Sequence, residues 1–305
     1  MPQTIVAVAI GPNYRHVTIN ALPLPDWVRK YIKGFIDAFP PNLGAGAADY
    51  VIDYRECPTS DLGRYVFTPG LIADYIICMS TPVVRQAALK YPATNGTPII
   101  GMVSDPSAEV FYTQRNVCGV SAGRSGDAAS AYSHLLDTVR PRLASAVVLH
   151  DSNHSPSVDS VKVIHAAGHV PTIKDVHTPA DVQQAIAASA GSGMLLLPVD
   201  WMFGVAPQII GWATGHNVLD FWLVTDWVQP SPSASAFGGY GVPQETSGHY
   251  LAQQVDVLWR GLTPNPVWLP VPQQDRVWMA SRARANNASV HLNPNNSPAG
   301  PTKVA

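Results

Sequence analysis

Charged residues are scarce in this sequence: Asp, Glu, Lys and Arg together make up 13% of its 305 residues. The net charge is -2 and the pI is about 6.5, and the Lys and Arg residues form no cluster. A protein that binds nucleic acid needs clustered basic residues to neutralise phosphates. We therefore expect no nucleic-acid partner.

Cysteine is also rare. Cys57, Cys78 and Cys118 are widely spaced, form no C-x-x-C pair, and have no histidine at metal-ligand spacing around them. Disulfide frameworks and structural zinc sites both show regular cysteine spacings. We expect neither in this chain, and no metal site.

Long hydrophobic runs are missing. The longest run, at residues 193–199, is far shorter than the roughly 18 to 20 residues that span a bilayer. The first residues lack the basic start, long apolar stretch and cleavage site of a secretory signal. The sequence as written predicts a chain that does not insert into a membrane and is cytoplasmic.

Motifs of common cofactor and metal enzymes are absent, including Walker, H-E-x-x-H, EF-hand and helix-opening G-x-G-x-x-G motifs. One catalytic pattern occurs: residues 119–123 match the G-x-S-x-G nucleophile elbow, which needs a strand before the serine and a helix directly after it. Residues 112–116 are polar, and we predict the next helix only from residues 126–128. We expect no cofactor and no enzyme activity, with a serine hydrolase using Ser121 as an alternative.

Short apolar runs alternate with helix-like segments along most of the chain. Apolar residues at intervals of three and four predict helices, and short runs rich in Val, Ile and Leu predict buried strands. The predicted strands are 5–10, 51–54, 71–79, 98–103, 117–121, 146–150, 172–175, 194–197 and 221–225. The predicted helices are 25–39, 82–90, one that starts at 126–128 and ends at 136, 158–167, 180–188, 205–214 and a segment ending before Gly261. This alternation predicts an α/β protein with two Rossmann-like lobes, each containing a parallel sheet.

Five of the apolar runs end in short polar loops, and open parallel sheets bind ligands beyond the carboxyl ends of their strands. Ser80 and Thr81 end one run and precede Pro82, while Ser104 and Asp105 end the next. Hydroxyls at a helix N-terminus favour a carboxylate ligand. Helix capping is the alternative interpretation of both loops.

Polar residues also follow three runs in the second half of the chain. One of these loops contains Asp151 and Asn153, the next contains Asp200 and the last contains Asp226. Each of the three carboxylates could hold the amine of a ligand. Capping of the next helix is the alternative for Asp200. Aromatic residues near strand ends that could stack on a ligand are Tyr14, Trp201 and Tyr240, with a place in the core as the alternative.

Several strings, taken in order, resemble the ABC transporter substrate-binding protein family with the periplasmic-binding-protein type I fold, in its tryptophan/tyrosine-type binder branch. They are Asp74-Tyr-Ile-Ile-Cys-Met-Ser-Thr-Pro82, Thr97-Pro-Ile-Ile-Gly-Met-Val-Ser-Asp-Pro106, Asn116-Val-Cys-Gly-Val-Ser121, Leu195-Leu-Leu-Pro-Val-Asp200, and Gly239-Tyr-Gly241 followed by Gly261. The resemblance implies two lobes joined by three crossovers, one ligand in the cleft between them, and hinge closure. It also implies a periplasmic location, an ABC permease partner and a monomer.

Lobe boundaries follow from this resemblance. The N-terminal lobe is predicted at 1–118 plus 239–264, the C-terminal lobe at 119–238 plus 265–292, and residues 293–305 as a disordered tail. The function predicted is that of a solute-binding protein of an ABC-type uptake system, with an amino acid or related small carboxylate as ligand. A cytosolic ligand sensor of the same fold is the alternative.

Overall fold

The computed structural model describes residues 3–10, 15–18, 30–35, 37–38, 50–57, 61–67, 73–92, 94, 96–197, 199–225, 227–228, 235–259, 268–293 and 303–304. The chain divides into two compact units, one of residues 1–123 and 244–271 and one of residues 124–243 and 272–305. The chain therefore passes between the units three times. Among the described residues no helix is long and apolar enough to cross a membrane.

Strands and helices alternate along the chain. The strands are β1 (Gln3–Ile10), β2 (Arg15–Thr18), β3 (Tyr50–Cys57), β4 (Tyr75–Cys78), β5 (Ile99–Val103), β6 (Val117–Ser121), β7 (Val139–Arg140), β8 (Val147–His150), β9 (Thr172–Asp175), β10 (Gly193–Leu196), β11 (Leu219–Trp222), β12 (Gly238–Gly241), β13 (Trp268–Pro270), β14 (Val277–Ala280), β15 (His291–Leu292) and β16 (Lys303–Val304). The helices are α1 (Thr81–Lys90), α2 (Arg124–Asp137), α3 (Ser155–Ala166), α4 (Pro179–Ala187), α5 (Asp200–Gly215), α6 (Gln244–Trp259) and α7 (Arg282–Asn287). Residues 30–35 and 37–38 are also helical.

Each unit contains one seven-stranded sheet. In the first unit the strand order is β13-β6-β5-β4-β1-β3-β2, and β2 alone is antiparallel to its neighbour. In the second unit the order is β16-β14-β12-β11-β10-β8-β9, and the β12–β14 pair is antiparallel. The prediction of two parallel α/β sheets is confirmed.

The central strands are buried on both faces. Every residue of β4, β5, β10 and β11 is buried, because helices cover both sides of these parallel sheets. In the second unit one apolar cluster includes Leu195 and Phe221, and the other includes Leu196 and Trp222. Adjacent residues of a strand thus contribute to opposite layers of the core, which explains continuous apolar runs rather than alternating ones.

The lobe boundaries differ from the predicted ones. The chain leaves the first unit after residue 123, and β6 completes the sheet of that unit by pairing with β5 and β13. It leaves the second unit after residue 243, where β12 pairs with β11 and β14. Each strand completes the sheet before the chain crosses, so the predicted crossings at 118 and 238 come about five residues too early.

Several elements also have different ends from those predicted. Helix α5 begins at Asp200 and contains Pro207, so it starts five residues before the predicted helix. Strand β4 begins only at Tyr75. The predicted disordered tail contains β16, which pairs with β14, and Asn293, whose backbone N–H donates to the carbonyl of Thr138.

A buried ion pair attaches the last helix to the second sheet. The Arg284 guanidinium donates to Asp220 Oδ1 at 2.8 Å, and both side chains are 1% exposed or less. Asp220 also accepts from Trp222 Nε1 at 2.9 Å and from the Phe237 N–H at 3.2 Å. These donors compensate for the removal of the carboxylate from water.

Removal of one partner should therefore be costly. We expect Arg284→Met to lower the free energy of unfolding by about 3–5 kcal/mol, because an unpaired carboxylate remains buried. Urea denaturation measures the loss, and Arg282→Met, at an exposed position of the same helix, is the matched control. Equal stability of the two variants would show that the ion pair does not hold the helix in place.

Candidate functional site

The first unit places two predicted loops side by side. Helix α1 begins at Thr81, directly after β4, and Thr81 Oγ1 accepts a hydrogen bond from the Ser104 N–H at 3.5 Å. The Ser80 side chain makes no capping hydrogen bond, and its buried hydroxyl has no partner among the described residues. The capping interpretation of Ser80 is therefore not supported by its side chain.

Asp105 has a local role in the same unit. Its Oδ1 accepts from the Ser107 hydroxyl at 2.7 Å, in the short helical turn Pro106–Ala108. Ser104 accepts from the Gly123 N–H through its carbonyl at 3.1 Å. Ser80, Thr81 and Ser104 are thus the hydroxyl-bearing residues that the first unit brings together.

The second unit places Asp151 at the carboxyl end of β8. Asp151 Oδ1 accepts from the Asn153 N–H at 2.9 Å and lies 3.0 Å from His177 Nδ1. Asp151 Oδ2 accepts from Trp201 Nε1 at 3.1 Å. The carboxylate is buried and contacts residues from three segments of the unit.

His177 lies between two carboxylates. Its Nδ1 faces Asp151, and its Nε2 lies 3.3 Å from Asp175 Oδ2. Asp175 in turn accepts from Ser152 through both the N–H, at 2.9 Å, and the hydroxyl, at 2.6 Å. An imidazolium ring can donate to both carboxylates at once.

The sheet brings this cluster together. Strands β8 and β9 are parallel neighbours, with His150 opposite Asp175, so the residues that follow them meet at one edge. Thr178 caps helix α4 and forms a capping box with Asp181. The Asp181 carboxylate also accepts from the His177 N–H at 3.0 Å, which fixes the backbone of the loop.

The electrostatics of the cluster favour its charged form. The hydrogen bond to Asp151 raises the pKa of His177, and the charges of Asp175 and Asp181 add to it. Burial opposes ionisation of Asp151, but hydrogen bonds from Trp201, Asn153 and His177 outweigh it and lower the pKa. The Ser152 hydroxyl is the main cause of the lowered pKa of Asp175.

The other predicted site residues have different positions. Trp201 contacts Asp151 through its ring N–H rather than offering only a face for stacking. Tyr240 is 6% exposed and lies in the core, with its ring 5.1 Å from that of His134. Asp200 is the first residue of α5, and Tyr14 and Asp226 lie outside the described residues.

The G-x-S-x-G string has a structural explanation. Ser121 is an extended residue of β6, opposite Val103, and it is not among the described residues with positive φ. A Cβ at Gly119 would lie 1.9 Å from the Gly101 carbonyl oxygen. Gly123 takes a φ of 61° just before α2, which begins at Arg124, earlier than predicted. The strand and helix are present, but the strained serine of an elbow is not.

Asp175 and His177 are the site residues that the sequence interpretation missed. Asp175 is the last residue of β9 and His177 follows it, so the sequence signal is their place at the end of a predicted strand, just before Thr178 at the start of the next helix.

The capping box should stabilise the fold measurably. We expect Thr178→Ala to lower the free energy of unfolding by about 1 kcal/mol, because a helix N–H loses its acceptor. Thr178→Ser keeps the hydroxyl and should remain close to wild type in urea denaturation. If the alanine and serine variants are equally stable, the cap contributes nothing.

The titration of His177 should depend on Asp175. Because the folded state binds this proton more tightly, His177 stabilises the fold at acidic pH, and this contribution is lost as the pH rises through its folded-state pKa. An NMR titration should give a pKa above 6.5 in wild type and a lower one in Asp175→Asn. Asp159→Asn, which alters an exposed carboxylate paired with Lys162, should leave the pKa of His177 unchanged. An equal drop of this pKa in both variants would refute the pairing of His177 with Asp175.

Solved structures resemble this chain over almost its whole length. A conserved domain protein from Vibrio cholerae O1 biovar El Tor has a TM-score of 0.71 at 16% identity, over 96% of each chain. An ABC domain from Streptococcus pneumoniae in complex with L-Trp has a TM-score of 0.69 at 12% identity, over 96% of this chain and 97% of the other. A substrate-binding protein with adhesive properties from Clostridium difficile, in a ligand-free open structure, has a TM-score of 0.59 at 15% identity, over 99% and 100%.

Three further findings limit what this structural similarity shows about the chain. No protein-family model matches the sequence, and a search of curated proteins finds no significant match. Transcriptional regulators, one of them in complex with cellobiose, also share the architecture. At sequence identities this low, the structural similarity establishes a shared fold and not a shared function. The chain has the type I periplasmic-binding-protein fold.

Proposed function

We propose that the protein is a solute-binding protein of an ABC-type uptake system and that its ligand is an amino acid or a related small carboxylate. The observation that carries the proposal is the ionised Asp151, held by three donors at the carboxyl end of β8. In α/β sheets ligands bind beyond this end of the strands. An ABC permease and a periplasmic location are the partner and place expected for such a protein.

Asp151 has room for one more donor. A carboxylate offers about four lone-pair positions, and three are taken by the Asn153 N–H, His177 and Trp201. The remaining position is on Oδ2, which accepts from Trp201. A ligand ammonium placed there would complete the hydrogen bonds of a group that already carries negative charge.

The hydroxyl loops of the first unit suit a carboxylate. Ser80 and Thr81 stand at the N-terminus of α1, where backbone N–H groups and the helix dipole favour an anion. The Ser80 hydroxyl is buried and has no partner in the described part of the chain, so a ligand oxygen would supply one. One structural relative was solved in complex with L-Trp, which supports an amino acid as the ligand class.

A ligand screen tests the proposal directly. Native mass spectrometry of the freshly purified protein should detect a bound ligand. A thermal-shift screen against amino acids, small carboxylates, purines and sugars should then show a selective rise in Tm for a compound that carries both an ammonium group and a carboxylate. A ligand at one hundred times its Kd adds about 2.7 kcal/mol to the folded state. No bound mass and no shift with any amino acid or carboxylate would refute the ligand class.

Two variants then locate the contacts. We expect Asp151→Asn and Ser80→Ala each to weaken binding of the identified ligand by about 2 kcal/mol, roughly thirtyfold in Kd, because each removes one partner of a charged hydrogen bond. Isothermal titration measures the change, and Asp159→Asn is the control at an exposed ion pair. Unchanged affinity in both variants would place the ligand elsewhere.

A ligand sensor is the second candidate function. Its support is the match of transcriptional regulators to the same fold. Both functions need a small-molecule site and differ in the protein that reads its occupancy. Permease and ATPase genes beside this gene would favour uptake, and their absence would favour sensing.

A further inference from the structure

We propose that Asp151, Asp175 and His177 bind one divalent transition-metal ion of the zinc type. One oxygen of each carboxylate and one ring nitrogen of His177 lie within 4.8 Å of one another. The residues all lie in the second unit, and the site shares Asp151 with the proposed ligand site, but the inference does not rest on the proposed uptake function.

The separations suit ligands that share an ion. Zinc lies about 2.0–2.2 Å from imidazole nitrogen and carboxylate oxygen, so two of its ligand atoms are roughly 3–4 Å apart. His177 Nδ1 lies 3.0 Å from an Asp151 oxygen, and Nε2 lies 3.3 Å from an Asp175 oxygen. One ion binds only one of these nitrogens, so the carboxylate on the other side of the ring has to move toward it for all three residues to share the ion.

A second imidazole stands beside these three side chains. His150 Nε2 lies 3.8 Å from Asp175 Oδ1, and the side chain is 14% exposed. Its Nδ1 is buried and has no hydrogen-bond partner within the described ranges. A second imidazole thus lies near the two carboxylates and faces Asp175 through Nε2, which is not the nitrogen that lacks a partner.

Neighbouring groups hold the carboxylates in place. Trp201 Nε1 donates to Asp151 Oδ2, leaving Oδ1 toward His177. The Ser152 N–H and hydroxyl donate to the two oxygens of Asp175. Metal-binding carboxylates are commonly oriented by such outer hydrogen bonds.

The mixed set of ligand atoms indicates the class of ion. Imidazole nitrogen suits zinc, nickel, copper and iron, whereas magnesium and calcium take oxygen ligands. An ion would displace the His177 proton, and the two carboxylates and neutral imidazole that remain carry a charge that a divalent cation balances. His177 and Asp175 are partly exposed, so water would complete the coordination.

Metal titration of the full chain tests the proposal. Protein stripped with a chelator is titrated with Co²⁺, followed by visible absorption, and with Zn²⁺, followed by calorimetry. We expect one ion per chain, and an affinity lower by about tenfold or more in both His177→Ala and Asp175→Asn. His216→Ala, at an exposed position in the same unit, should bind like wild type.

Two results would overturn the proposal. One is the absence of saturable Co²⁺ or Zn²⁺ binding by wild type, and the other is equal affinity in wild type, His177→Ala and Asp175→Asn. Circular dichroism of each variant, with His177→Gln as a larger replacement, separates loss of binding from loss of fold. Solute binding is measured separately with metal-free protein, so failure of one proposal leaves the other intact.

Discussion

Parallel strands that are buried on both faces can carry polar side chains at little cost only where they end. In this protein β4, β5, β10 and β11 are wholly buried, and their backbone groups are satisfied within the sheets. Polar residues therefore collect in the loops after the strands. That constraint places Ser80, Ser104 and Asp151 where ligands of α/β proteins bind.

Asp220 is the informative exception, because it lies inside the buried strand β11. It is tolerated because Arg284, Trp222 and a backbone N–H from Phe237 all donate to it. A buried charge with this many partners holds its neighbours in one arrangement. Here it joins the second sheet to the helix formed after the last crossing of the chain.

The positions of the predicted site residues follow from the same physics. Asp151 was predicted as a site residue because it directly follows an apolar run, and the structure gives it three donors. Asp175 and His177 were missed because β9 is an edge strand with mostly exposed residues, so no apolar run marks its end. Tyr240 lies in the buried strand β12, and an aromatic residue between glycines is equally compatible with a loop and with such a strand.

The sequence by itself determined the type and order of most strands and helices, since apolar periodicity is a local property. It also determined which loops are polar. Only the tertiary structure decided which strand ends become neighbours: β9 lies beside β8, so residues 26 positions apart, Asp151 and His177, come into contact. Likewise, Arg284 meets Asp220 across 64 positions. Such pairings depend on sheet order and register, which no local pattern encodes.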